Sequence, residues 1–194
     1  MEDTKVDISP SNEQIKEFGI RIPVLSTLGA QISEAKGKII HCKGYFPLAK
    51  SQPHITIASL LANWTNSRKI KEALHYLENI DRFTLGVKEI TYSTQADKNG
   101  FHTAFLPLDS TVEFTRIQNT VKAGVSRFIS SKYSNYPRPH ITITKYLPGQ
   151  TGEVQSILNS FVFEKDFLVT ETELLHRNPG EGWDWLNRKV IKLK

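Results

Sequence analysis

Two histidines, His54 and His140, are each followed two positions later by a threonine, Thr56 and Thr142. Imidazole, with an ordinary pKa of about 6.5, gives or takes a proton near neutrality. Two such groups, one protonated and one neutral, make a general acid–base pair. Threonine hydroxyls donate hydrogen bonds to anionic oxygens. Two donors flanking an acid and a base suit in-line displacement at phosphorus, where stabilising the developing charge dominates. The chemistry implied is attack on a phosphodiester, above all a strained cyclic one, and the arrangement calls for no metal.

These residues belong to a repeat. Pro-His-Ile-Thr-Ile occurs at residues 53–57 and again at 139–143, and internal self-similarity outranks any other pattern in a chain. The β-branched, apolar composition reads as a strand, and proline is tolerated at a strand's first residue. Side chains at i and i+2 share a face, so His54 and Thr56 point one way while Ile55 and Ile57 point the other. His140 and Thr142 stand in the same relation to Ile141 and Ile143. One isolated copy would be an ordinary solvated strand face. Two matched copies converge if the halves pack about an approximate two-fold axis, with the strands side by side and both polar faces opening into one groove.

The duplicated His-hydrophobic-Thr-hydrophobic pattern resembles the signature of the 2H phosphoesterase superfamily. That group includes RNA 2′,3′-cyclic phosphodiesterases (first described as 2′-5′ RNA ligases), plant cyclic nucleotide phosphodiesterases and several 2′-5′ phosphodiesterases. The resemblance covers residues 17–194: residues 19–24 look like the family's opening strand, residues 25–36 like the helix after it, and residues 169–174 and 185–193 like its closing strands. Residues 138–145 are similar to the second motif, with Lys145 where an arginine often stands. The resemblance implies an α+β, bilobal fold. Its two pseudo-symmetric lobes would line a central groove with antiparallel sheets and carry their helices outside.

It also implies a metal-free, cofactor-free hydrolase acting on a 2′,3′-cyclic phosphate or a 2′-5′ linkage in RNA or an oligonucleotide. His140 would take a proton from water, His54 would protonate the departing 3′ oxygen, and a 2′-phosphate would remain. The two roles are open to exchange. Thr56 and Thr142 would hold the non-bridging oxygens. Two other readings stay open: a phosphodiesterase for linear or cyclic 2′-5′ oligoadenylates, and a nucleotide-binding module without turnover. Substrate profiling separates the first, and binding without turnover identifies the second.

Arg138 and Lys145 bracket the second motif and are candidate phosphate contacts. On regular alternation Lys145 points away from the groove, so a bulge or the strand's end must intervene for it to reach substrate. Phe101 and Tyr146 are candidate stacking surfaces for a base, with Tyr45, Phe46 and Trp183 weighed beside them. The other histidines read as structural: His75 at a helix surface, His41 beside an oppositely pointing Cys42, His176 exposed before a turn, and His102 off the substrate. No Gly-rich phosphate loop, Cys-x-x-Cys pair or His-Glu-x-x-His stretch is present.

The elements that must hold these residues are legible too. Helical spacing predicts amphipathic helices at 67–79 and 112–129 and a shorter one at 153–160. Residues 83–92 and 101–106 read as strands, with a turn at 97–100. Strands interleaved with helices argue for an α/β or α+β domain. A chain of 194 residues fits one domain spanning residues 15–194, after a loose, polar leader at residues 1–14. The formal charge of +5 favours an anionic partner. Leader composition, the lack of an apolar run of membrane-spanning length and a single cysteine fit a cytoplasmic monomer without disulfides.

Overall fold

The computed structural model describes residues 14–40, 52–130, 132–136, 138–179 and 188–194. Among them the chain runs β1 (Ile15–Pro23), α1 (Thr27–Ile40), β2 (His54–Asn63), α2 (Ser67–Ala73), β3 (Phe83–Gly86), β4 (Thr91–Tyr92) and β5 (His102–Pro107). It continues through α3 (Val112–Val125), β6 (Tyr133–Asn135), β7 (His140–Tyr146), α4 (Thr151–Asn159), β8 (Asp166–Val169), β9 (Glu171–Arg177) and β10 (Lys189–Lys192). The fold is α+β.

The strand order β10-β9-β1-β2-β7-β5-β4 is antiparallel throughout, and β6 pairs with the upper part of β2. One lobe is built on β10, β9, β1 and β2, the other on β7, β5 and β4. They meet where Ile55 of β2 pairs with Ile141 of β7. A separate two-stranded ribbon, β3 with β8, closes the ends.

Alternation along β1 sends Phe18, Ile20 and Ile22 into the core, fully buried, and leaves Gly19 and Arg21 on the opposite face. The helices cover the core side with stripes at helical spacing: Leu28, Ile32, Ala35 and Ile39 on α1, and Phe114, Ile117, Val121 and Val125 on α3. The Thr111 hydroxyl caps α3 by accepting from the Phe114 N–H at 3.1 Å. Each helix serves the other half's strand. Helix α1 packs on β7 and α4, whereas α3 packs on β2, α2 and the turn after α2. Helix α1 leaves β1 so tightly that a Cβ on Gly29 would lie 2.0 Å from the Val24 carbonyl oxygen, which only glycine permits.

Several sequence expectations need correction. The helix predicted at 67–79 is α-helical only to Ala73 and tightens to 3₁₀ over Leu74–Asn79. The helix predicted at 112–129 ends at Val125, with a 3₁₀ turn at Ser126–Phe128. The second ending follows the usual tightening of a helix's last turn, and the first extends it over six residues. The strand predicted at 83–92 is two strands in different sheets. It leaves β8 at Gly86, whose carbonyl accepts from the Asp109 N–H, and the Lys88 N–H bonds to Pro107 beside β5. The opening strand begins at Ile15, earlier than predicted. Of the leader, residues 1–13 lie outside the described residues, as do His41, Cys42, Tyr45, Phe46 and Trp183.

Candidate active site

The pairing of Ile55 with Ile141 sends both isoleucines into the core, where each is fully buried. Because side chains alternate, His54, Thr56, His140 and Thr142 all stand on the opposite face, each half-buried. The two motifs are therefore neighbours in one sheet, as the repeat predicted.

The two halves match at the level of single hydrogen bonds. Pro23 pairs with His54, and Pro107 pairs with His140. The Val24 N–H donates to the Pro53 carbonyl at 3.1 Å, and the Leu108 N–H donates to the Pro139 carbonyl at 3.0 Å. His54 Nδ1 donates to the Gln52 carbonyl at 2.7 Å, and His140 Nδ1 to the Arg138 carbonyl at 3.0 Å. A carbonyl only accepts, so Nδ1 carries the hydrogen in both rings. In the neutral ring each Nε2 is then the nitrogen without a hydrogen.

Both motif strands also bulge at the last isoleucine. Ile20 faces Ala58 and Arg21 faces Thr56, so Ile57 is the extra residue of β2. Ala104 faces Thr144 and Phe105 faces Thr142, so Ile143 is the extra residue of β7. A bulge inserts one residue and re-aims the side chains beyond it. It buries Ile57 with Ala58, and Ile143 with Thr144, and it turns Ser59 and Lys145 onto the groove face. The bulge that Lys145 required is present. Its ammonium pairs with Asp97 at 2.6 Å. That hydrogen bond, then those from the Asn99 and Phe101 N–H groups, holds the Asp97 carboxyl down at about 2.

The halves differ beside the threonines. Opposite Thr56 stands Arg21, only 3 % exposed, with Glu173 of β9 across from it on the other side. Burial, then the neighbouring Arg177, lowers the Arg21 pKa to about 10, against the pull of Glu173, Glu17 and Tyr136. Glu173 also pairs with Arg188 at 3.0 Å, and Arg177 with Glu17 at 2.7 Å. Opposite Thr142 stands Phe105, whose ring meets His140 edge-on with centroids 5.6 Å apart. Burial first, then the charge of Arg21, pushes the His54 pKa down to about 4; Lys36 and His140 add to this and the Gln52 carbonyl opposes it. Lys36, buried on α1, is itself lowered to about 8 by desolvation.

The remaining candidates divide. Phe101 is half-buried, and by alternation from Phe105 it falls on the groove side of β5. Arg138 is exposed, and its carbonyl orients His140. Tyr146 is corrected: it lies beyond the bulge on the core side, 1 % exposed, and stacks on His102 at 5.9 Å. His102, bonded through Nδ1 to the Ser93 carbonyl, shares that side. His75 is exposed beside Glu78. His176, expected to be exposed, is half-buried against Trp64, with ring centroids 4.7 Å apart. Arg21, Lys36, Phe105 and Glu173 do not stand out in the sequence by residue type alone. A signal exists for two of them, since Arg21-Ile-Pro and Phe105-Leu-Pro are matching segments of the two halves.

A cavity of about 800 Å³ lies between Val87–Tyr92 and Phe161–Lys165, and none of the four motif side chains lines it. A smaller cavity of about 300 Å³, lined in part by Gln52, Pro53, Glu173 and Arg188, adjoins the segment that holds His54. Among the described residues no group of three or more His, Cys, Asp or Glu side chains gathers to hold a metal ion.

With the fold and the twin motifs in place, comparison with known proteins gives the class. The model of the 2′-5′ RNA ligase superfamily matches residues 25–181, and the chain belongs to that family. Escherichia coli LigT in its apo form shares the fold at 15 % identity, with a TM-score of 0.59 over 93 % of this chain and 96 % of that one. TT0787 of Thermus thermophilus does so at 15 % identity, with a TM-score of 0.58 over 90 % of this chain and 97 % of that one. LigT complexed with 3′-AMP superposes equally well, with a TM-score of 0.59 at 15 % identity over 93 % and 96 % of the two chains. Compared with curated protein sequences, the chain has no significant match. No described helix is long and apolar enough to cross a membrane.

Proposed function

We propose that this protein is a metal-independent phosphodiesterase that opens 2′,3′-cyclic phosphates at the ends of RNA or on nucleotides. The observation that carries this reading is the pair of imidazoles on one sheet face, each oriented by an Nδ1 hydrogen bond to a carbonyl two residues back. One Nε2 takes a proton from water as its oxygen attacks phosphorus. The bond from phosphorus to the 3′ oxygen breaks, that oxygen takes a proton from the other Nε2, and a 2′-phosphate is released. Thr56 and Thr142 donate to the non-bridging oxygens, where charge builds in the transition state. Lys145 and Phe101 are proposed substrate contacts further along the second strand pair, and Arg138 contributes charge at the rim. Family membership supports phosphoester chemistry, and LigT has been crystallised in complex with a nucleotide, 3′-AMP. We place the protein in the cytoplasm as a monomer.

The test is turnover in the presence of chelator. Nucleoside 2′,3′-cyclic phosphates, RNA ending in one and 2′-5′ oligoadenylate are incubated with the wild type and with a His54→Ala, His140→Ala double variant. Release of 2′-phosphate by the wild type alone supports the reading. Cleavage of 2′-5′ oligoadenylate alone transfers it to that substrate class, and binding without turnover reduces it to a nucleotide-binding module.

A further inference from the structure

Buried polar groups in folded proteins are almost always hydrogen-bonded, so an exception asks for a partner. Two exceptions meet at one cavity. Glu173 of β9 is only 2 % exposed, and its Oε1 pairs with Arg188 Nε at 3.0 Å. Its Oε2 is closed off from solvent and has no hydrogen-bond partner among the described residues. Ser26, where the chain enters α1, has a buried Oγ in the same condition. Both residues line the cavity of about 300 Å³, together with Ala30 of α1, Gln52, Pro53 and Arg188. Burial raises the Glu173 pKa, and Arg188 opposes the rise. An ionised carboxylate only accepts, so the partner missing from Oε2 is a donor.

The position of the cavity says where that donor comes from. Gln52 and Pro53 lead directly into His54, and the Gln52 carbonyl orients the His54 ring. Across the sheet Thr56 faces Arg21, and Arg21 faces Glu173. Two strand spacings put the backbones of Thr56 and Glu173 about 10 Å apart, the reach of one nucleotide from phosphate to base edge.

We infer that this cavity is a nucleobase pocket that selects an exocyclic amino group, which donates to Glu173 Oε2. The inference rests on the phosphodiesterase reading above and gives its substrate a base. With the cyclic phosphate at Thr56 and Thr142, the base extends across the β1 row and its amino edge enters between Glu173 and Ser26. The ring nitrogen beside the amine, N3 of cytosine or guanine and N1 of adenine, accepts from Ser26 Oγ. Uracil places a carbonyl oxygen where cytosine has its amine. Two acceptors then meet, and Glu173 stays unpaired. A site built to bond an N–H rejects the analogue that lacks it.

The test compares the 2′,3′-cyclic phosphates of cytidine with uridine and of guanosine with inosine, each pair differing at the amine. Wild-type kcat/KM should favour the amino-bearing member of at least one pair by about tenfold or more, because a hydrogen bond to charge is at stake. The difference should lie in KM. Glu173→Gln, whose amide can donate to a carbonyl, should erase or reverse the preference. Ala30→Phe fills the cavity from an exposed position on α1, and it should raise KM for both members of a pair and level them. Equal rates within both pairs overturn the inference, leaving a cavity that holds only water. So does a preference that survives Glu173→Gln and Ala30→Phe. Calorimetric titration with cytidine 2′-phosphate and uridine 2′-phosphate repeats the comparison without turnover. Absence of turnover of any cyclic phosphate by the folded wild type overturns the phosphodiesterase reading, whereas equal affinity for these two nucleotides overturns the base pocket.

Discussion

The first half of the repeat and the second agree in backbone and disagree in electrostatics. Both place proline opposite the histidine, both anchor Nδ1 on the carbonyl two residues back, and both bulge at the same isoleucine. Beside the first threonine lies a buried guanidinium facing Glu173, and beside the second lies a phenyl ring. The match is what backbone geometry demands, since a bulge and a tautomer are set by register and carbonyl positions. The mismatch sits in side chains that the register leaves free to vary.

The comparison breaks first at the histidines. His54→Ala and His140→Ala should each lower kcat on a cyclic phosphate by about 10²–10⁴, and the double variant should be little worse than either, because the pair acts as a unit. Two singles that differ by orders of magnitude on the natural oxygen substrate would show that the halves are not partners. Next comes stability against pH. The folded-state pKa of His54, about 4, lies below its unfolded value. The unfolded chain therefore binds the extra proton between about 6.5 and 4, and stability falls as pH drops through that window. The loss is on the order of a few kcal/mol, and denaturant melts of the wild type and His54→Gln should diverge there. If the two run parallel, the cationic surroundings of the first half are not felt.

The threonines come third. Thr56→Ala or Thr142→Ala removes one hydrogen bond to charge, worth about 1.5–3 kcal/mol, or roughly ten- to a hundredfold in kcat. A loss as large as that of a histidine variant would give the hydroxyls a part in proton transfer. The smallest effect belongs to Asp97→Asn. It weakens the hold on Lys145 and should change KM by only about a few fold, since solvent screens an exposed pair. Steady-state kinetics over a salt series measures it.

What the sequence disclosed and what it hid divide along one physical line. The repeat, the strand assignment of both motifs and the facing of His54, Thr56, His140 and Thr142 follow from alternation, a local property. Helix stripes such as Phe114, Ile117, Val121 and Val125 are equally local. Regular alternation fails where the strands bulge, because a bulge shows only in the register against a partner strand; that is why Tyr146 falls on the core side and Lys145 on the groove face, the reverse of what regular alternation gives. The split of the strand predicted at 83–92 has the same origin, since each part finds its partner far along the chain. Arg21 and Lys36 are hidden for another reason. A charged residue inside an apolar strand or helix reads as surface until the fold buries it, and both are buried.

The crossing of the helices bears on how the two histidine motifs are held at a distance from each other. A groove between two self-sufficient bodies would breathe as they swing. Here the helix that follows β1 clasps the sheet of β7, and the helix that follows β5 clasps the sheet of β2, like the fingers of two interlaced hands. Neither half can rock open without stripping its own helix from the strands of the other half. The spacing of the two histidine motifs is consequently fixed when the chain folds, and on heating any activity and the tertiary structure should vanish together in a single transition.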